Sequence, residues 1–220
     1  RTRQSEFFIA LAFLTGIVLV VALLSEKVKR KIKVFIHKNF YTNKYDYRAQ
    51  WLKFTDRLSE PGTEDDLLKA ILAGFYEAFG MGTAALYLYD RDRSLYSNSS
   101  DYEMYAEKKA FARGSEVVRR LEATRLVYNV RDDVPGSLEG DDARFLSDKG
   151  VSFVIPLCSE DSLDGFILLG KPLGEGEIYT YEDYDLMKTL AKQAGSTIIN
   201  LRLTQELSTA REMETIGKVS

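Results

Sequence analysis

Cysteine and histidine are almost missing from these 220 residues: there is one of each, with one tryptophan and four prolines. A lone cysteine excludes a disulfide scaffold and any centre built on several thiolates. A lone histidine excludes most histidine-based metal and triad chemistry. Acidic residues are missing from 27–38, which carries six Lys/Arg, whereas Arg1 and Arg3 balance Glu6 and Glu26 in residues 1–26. The formal net charge of −3 therefore leaves −9 on residues 39–220. What remains is ordinary, 45% hydrophobic and 29% charged, which excludes a disordered tail, a collagen-like fibre and a polytopic membrane protein. The length suits one domain with additions.

The one long apolar run explains the basic stripe. Phe7 to Leu24 is eighteen residues without a charge, about 27 Å of helix and close to the hydrocarbon thickness of a bilayer. A cleaved signal peptide has a shorter apolar core and a small-residue cleavage site. Here Lys27, Lys29, Arg30, Lys31 and Lys33 follow instead, as in a stop-transfer flank. The expectation is a transmembrane helix within residues 1–26. Its basic flank would lie on anionic lipid headgroups, and residues 27–220 would be cytoplasmic. An acidic body argues against nucleic acid as a partner.

Residues 27–62 read as a basic and aromatic juxtamembrane linker. Trp51, Phe54 and Leu58 fall at helical spacing, the pattern of a packing stripe, and Pro61-Gly62 ends it. Thr63 is a good N-cap, with Glu64, Asp65 and Asp66 in the first turn where the helix dipole favours them. Leu67, Leu68, Ile71, Leu72, Phe75 and Phe79 then make a helical face closed by Gly80 and Gly82. Residues 83–89 alternate as a strand, and 95–97 is a short partner. Residues 98–124 read as mostly helical with a break at Gly114, 126–130 as a strand and 141–148 as a short helix. Residues 151–158 and 166–170 form a hairpin about Gly165. The fold class is α+β: an antiparallel sheet flanked by helices over 63–200.

From Asp183 to Val219 there is no proline, so one helix of roughly 55 Å is expected. Leu186, Leu190, Ala194, Ile198 and Leu201 pack on the sheet and on a partner copy in this reading. Leu203, Leu207, Ala210 and Met213 continue an apolar seam, read as the start of a parallel two-stranded coiled coil over 201–220 that makes a homodimer. A plain amphipathic helix of a monomer is the alternative.

The order of elements, the V-I-P-L and G-F-I-L-L-G strands, and the closing Y-E-D-Y-D-L-M-K-T-L-A-K-Q-A-G-S-T-I-I-N resemble a GAF domain over 63–200. The flanks, N-K-Y-D-Y-R-A-Q-W-L-K-F-T and A-R-E-M-E-T-I-G-K-V-S, resemble the sensor histidine kinases of the PEP-CTERM system. The first resemblance implies a sheet between a helical dimerisation face and a loop-covered pocket. The second implies that the chain starts at the last of several membrane helices and stops short of an F-x-x-H-D-L-K-N-like phosphoacceptor box. ATP and magnesium would then belong to a downstream kinase core in cis, and a response regulator would be the partner of the parent protein. No catalytic residue, cofactor or metal is expected within these residues. The competing reading is a non-enzymatic tethered GAF module, or one serving another output such as a diguanylate cyclase.

Single residues add little chemistry. His37 lies in the basic run, with no partner to tune it. Cys158 is a small buried hydrophobe or, with access and a depressed pKa, a redox-sensing thiol. Methionine-sulfoxide reduction of the GAF type needs several cysteines, bilin attachment needs a histidine contact, and the N-K-x-F-D-E signature of cyclic-nucleotide GAF domains is missing. Haem ligation by Tyr or Cys stays formally open. An unknown small ligand would be lined by Tyr89, Tyr128, Phe153 and Ile155, on the sheet face opposite the terminal helices; ordinary core packing is the competing role. Arg119, Arg120 and Arg125 make either an anion site or a solvated face.

Overall fold

A computed structural model of the chain describes residues 47–106, 109–131, 140–159, 162–174 and 178–217. The apolar segment 7–24, the basic residues Lys27, Lys29, Arg30, Lys31 and Lys33, and His37 lie outside the described residues. Among the described residues no helix is long and apolar enough to cross a membrane.

The helical layer begins with α1, Tyr47–Ser59, and α2, Glu64–Ala78. The stripe on α1 is buried at Phe54 and Leu58, whereas Trp51 is 39% exposed. Contact is closest at Gly74 of α2, where an added Cβ would collide with the Phe54 ring. With no side chain in the way, that ring meets Phe75 edge-on at 5.6 Å. Thr63 caps α2 as its sequence predicts. Its hydroxyl accepts from the Asp66 N–H at 3.2 Å and donates to the Asp66 carboxylate at 2.7 Å, satisfying a donor that the first helical turn leaves free. Gly80, at φ 62°, then turns the chain into the sheet.

The strands are β1 Ala84–Asp90, β2 Leu95–Tyr102, β3 Ala110–Ala112, β4 Tyr128–Asn129, β5 Phe153–Cys158 and β6 Leu163–Leu169. They make one antiparallel sheet in the order β3-β2-β1-β6-β5-β4. Two short helices, α3 at Glu116–Thr124 and α4 at Gly140–Asp148, accompany its far face. The helical reading of 98–112 is corrected here. β2 pairs with β1 from Leu95 to Tyr102. S-N-S-S-D has no apolar alternation to announce a strand, and its neighbour's hydrogen bonds decide its state. The hairpin strand also starts earlier than expected, at Leu163.

Alternation divides the core in two. Ala84, Leu86, Leu88, Phe153, Ile155, Leu157, Ile167 and Leu169 pack with α1, α2 and the last helix, α5, Tyr181–Gly217. Ala85, Tyr87, Val154, Phe166 and Leu168 pack with Tyr96, Phe111, α3 and Leu146 of α4 on the other side. α5 starts with a capping pair: the buried Asp183 carboxylate accepts from the Thr180 N–H at 2.6 Å and from its hydroxyl at 3.0 Å. Leu186, Leu190, Ala194 and Ile198 are buried as expected, and Leu201 is half-buried.

Candidate functional site

The far face of the sheet is filled by aromatic side chains. Phe166 stacks on Tyr87 with centroids 5.1 Å apart and meets Phe111 edge-on at 5.3 Å and Tyr96 at 5.6 Å. All four are essentially fully buried. The two phenols there end in hydrogen bonds, since a buried hydroxyl without one is costly. Tyr87 donates to the Ala106 carbonyl and Tyr96 to the Leu163 carbonyl, each at 3.0 Å. Beside them the Lys109 ammonium pairs with the Asp142 carboxylate at 2.9 Å and lies 4.9 Å from the Phe111 ring centre. The segment after β2 is shaped by Asp101, whose carboxylate accepts from the N–H groups of Met104, Tyr105 and Ala106. Glu103 and Tyr105 there take left-handed φ values of 54°. None of these polar contacts has a spacing signature, because their partners are far apart in sequence or are main-chain atoms.

The four residues expected to line one pocket are separated by the sheet. Phe153 and Ile155 belong to the face that packs on α5, and Tyr89 and Tyr128 pack with the opposite core. The placement opposite the terminal helices is therefore corrected for Phe153 and Ile155, whereas Tyr89 and Tyr128 lie on that face. Phe153 and Ile155 share the parity of Leu157, and that parity faces the helices. Phe153 meets Tyr179 and Tyr184 edge-on at 4.9 and 5.8 Å, while Tyr128 lies under the Arg120 guanidinium at 4.1 Å. The three arginines do not converge. Arg119 is exposed, Arg120 covers Tyr128, and Arg125 ends α3 in a left-handed conformation at φ 52°. Cys158 is half-buried, and burial pushes its thiol up against the opposing pull of Arg125. A protonated thiol is a poor nucleophile, which weighs against a redox role.

Several cavities open on the described surface. One of about 590 Å³ includes Arg125, Ile155 and Lys188; one of about 470 Å³ includes Tyr89, Arg91 and Arg202; one of about 230 Å³ includes Asn129, Arg131 and Phe153. The expected pocket residues are thus dispersed over different cavities. Among the described residues no group of three or more His, Cys, Asp or Glu is placed to hold a metal ion.

The GAF domain family model matches residues 63–200, the stretch that holds the sheet and the helices packed on it. The chain belongs to the GAF domain family. The GAF domain of a phosphoenolpyruvate-protein phosphotransferase from Coxiella burnetii is similar in structure, with a TM-score of 0.62, 15% identity and coverage of 75% of this chain and 99% of that one. A GAF domain/HD domain protein from Geobacter sulfurreducens has a TM-score of 0.53 at 10% identity, covering 68% of this chain and 98% of the other. Free methionine-R-sulfoxide reductase from Neisseria meningitidis, solved with its substrate, has a TM-score of 0.55 at 16% identity, covering 72% and 91%. At these identities the likeness is one of fold. No curated protein matches the chain. GAF domains are small-molecule-binding sensory and regulatory modules found in many signalling proteins, and that is the role class of this one.

In this GAF domain the aromatic face gives a pH-dependent prediction. Burial, reinforced by Glu122 and opposed by Arg113, pushes the Tyr96 hydroxyl up to about 12. The folded state then holds the phenolic proton more tightly than the unfolded chain does. Stability from this group is complete below pH 10 and falls by up to about 1.4 kcal/mol per pH unit between about 10 and 12. Tyr96→Phe should cost about 1 kcal/mol at pH 8, for the lost hydrogen bond to Leu163, and should remove that slope. Urea midpoints of the two proteins should therefore converge at pH 11; a gap as wide as at pH 8 would contradict the assignment.

Proposed function

We propose that this chain is the sensory and coupling segment of a membrane-bound two-component sensor histidine kinase. The GAF domain takes an input and α5 passes it to a kinase core that follows. The observation that carries this reading is the length of α5. Its first half is buried in the domain, yet the helix continues from Leu203 to Gly217, about 22 Å beyond the last core contacts. A domain that ended its work at the sheet would not need that extension.

The exit of α5 supports the same reading. Arg202 donates through Nε to the Glu64 carboxylate at 2.8 Å, tying α5 to the start of α2 where it leaves the body. Beyond that tie Leu203 and Leu207 are 52% and 61% exposed, two positions of the proposed seam without a partner surface of their own. The side chains of Ala210 and Met213, the other two, lie outside the described residues. In a parallel homodimer the four would meet their copies. A seam this short is marginal, so two helix registers can lie within a few kcal/mol of each other and a modest input can bias them.

In this proposal the basic residues 27–33 rest on the lipid of the inner membrane, ATP and magnesium are bound only by the kinase core, and a response regulator receives the phosphoryl group. The reading frame after Ser220 tests it. A His-Asp phosphoacceptor box is expected within about 10–15 residues. In the parent protein one alanine inserted after Arg202 should change labelling from γ-labelled ATP, whereas a seven-residue insertion, which restores the helical phase, should largely preserve it. A cyclase signature in place of the box, or a stop codon, would overturn the kinase reading and leave a tethered GAF module.

A further inference from the structure

β4 is only two residues long and pairs with β5 at Phe153 and Val154 alone. From Ile155 to Cys158 the outer side of β5 is therefore the edge of the sheet, and Pro156, which has no N–H to leave unpaired, sits in that edge. The cleft of about 590 Å³ lies along this edge, between it, the segment after α3 and the exposed side of α5. Its volume is within the range of small-molecule sites.

The chemistry of its lining is one-sided. Leu126, Val127, Pro156 and Ile199 supply apolar wall, and Leu126 remains 58% exposed. Arg125, Lys188 and Lys192 supply three cations, and among the described residues no carboxylate lines the cleft, although residues 39–220 carry −9 overall. Lys188 and Lys192 are four residues apart on α5 and so face the same way; like charges at that spacing oppose the helix. Neither has an ion-pair partner among the described residues. Arg125 is placed at the mouth by a left-handed backbone conformation that a non-glycine residue adopts only at a cost. Two cations one helical turn apart above an apolar wall match a ligand with one anionic end and an apolar body.

We propose that this cleft binds a small amphipathic carboxylate, its anionic end between Lys188 and Lys192 and its alkyl or aryl body against Leu126, Pro156 and Ile199. The bound molecule bridges α5 to the edge of the sheet, on the opposite side of the sheet from the aromatic core around Phe166. Binding at this place does not depend on which output follows α5, so the two proposals fail separately.

Cys158 provides the readout, because it lines the cleft and is the only cysteine of the chain. Octanoate is a suitable probe, and the full 220-residue chain is labelled with a maleimide in its presence. A dissociation constant of about 1 mM slows labelling roughly tenfold at about 10 mM octanoate. Acetate, which has the charge without the chain, and octanamide, which has the chain without the charge, should protect little at the same concentration. K188Q/K192Q should label like the parent without ligand and lose most of the octanoate protection. Labelling indifferent to octanoate, equal protection by octanamide, or protection that survives K188Q/K192Q would each overturn the proposal.

Discussion

Phe166→Ala is expected to lower the unfolding free energy by about 3–5 kcal/mol, the range for emptying a buried phenylalanine site. The ring has no solvent exposure and touches Tyr87, Tyr96 and Phe111, with centroids 5.1 to 5.6 Å away. These neighbours are poorly placed to close the gap. Tyr87 and Tyr96 are held at their far ends by the hydrogen bonds to Ala106 and Leu163, so collapse into the space would break one of them. The residual cavity term should therefore be large rather than small. A domain of this size has only about 5–15 kcal/mol in total, so the variant should unfold at a much lower urea concentration with an unchanged slope. Phe166→Leu, which keeps most of the volume, should lose markedly less. A loss under about 1 kcal/mol for Phe166→Ala would mean that the aromatic face relaxes freely and is not the packed layer described here.

The sequence was legible where a local rule and the tertiary environment agree. Thr63 with Asp66, the apolar face from Leu67 to Phe75 and the alternation in 153–158 all announce their elements, and burial follows them. Asn98 to Tyr102 was not legible, because this polar stretch, paired on one side only, takes its conformation from β1 rather than from its own pattern. Strand parity was visible in Phe153, Ile155 and Leu157, but which parity faces α5 is settled only by which side of the sheet the helices cover. The same limit applies to the cleft. Lys188 and Lys192 are evidently on one helical face, and Arg125 stood out with Arg119 and Arg120 as a cation. Only the chain path through the left-handed turn at Arg125 brings that one arginine, and not the other two, to the edge of β5.

Gly165→Ala should be the second large effect, and it acts through the backbone rather than through a cavity. Gly165 sits in the middle of the sheet, opposite Leu88 on β1 and Leu157 on β5. A Cβ built there collides with the Tyr87 carbonyl oxygen and lies 2.8 Å from Leu88 Cδ2 and 3.3 Å from Leu88 Cα. The Leu88 methyl can rotate away; the carbonyl and the Cα can yield only if β1 and β6 move apart. That pair is the centre of the sheet, with register running from Ala84–Leu169 to Leu88–Gly165. Overpacking of this kind costs about 1–3 kcal/mol and occasionally more, and here the upper end is expected. Trimming the neighbour distinguishes the two causes. Leu88→Ala removes the methyl and leaves the carbonyl, so Gly165→Ala should still be costly in that background, retaining most of its loss in a double-mutant cycle. Were Gly165→Ala harmless once Leu88 is trimmed, the glycine would be there for a side chain rather than for the close approach of two central strands.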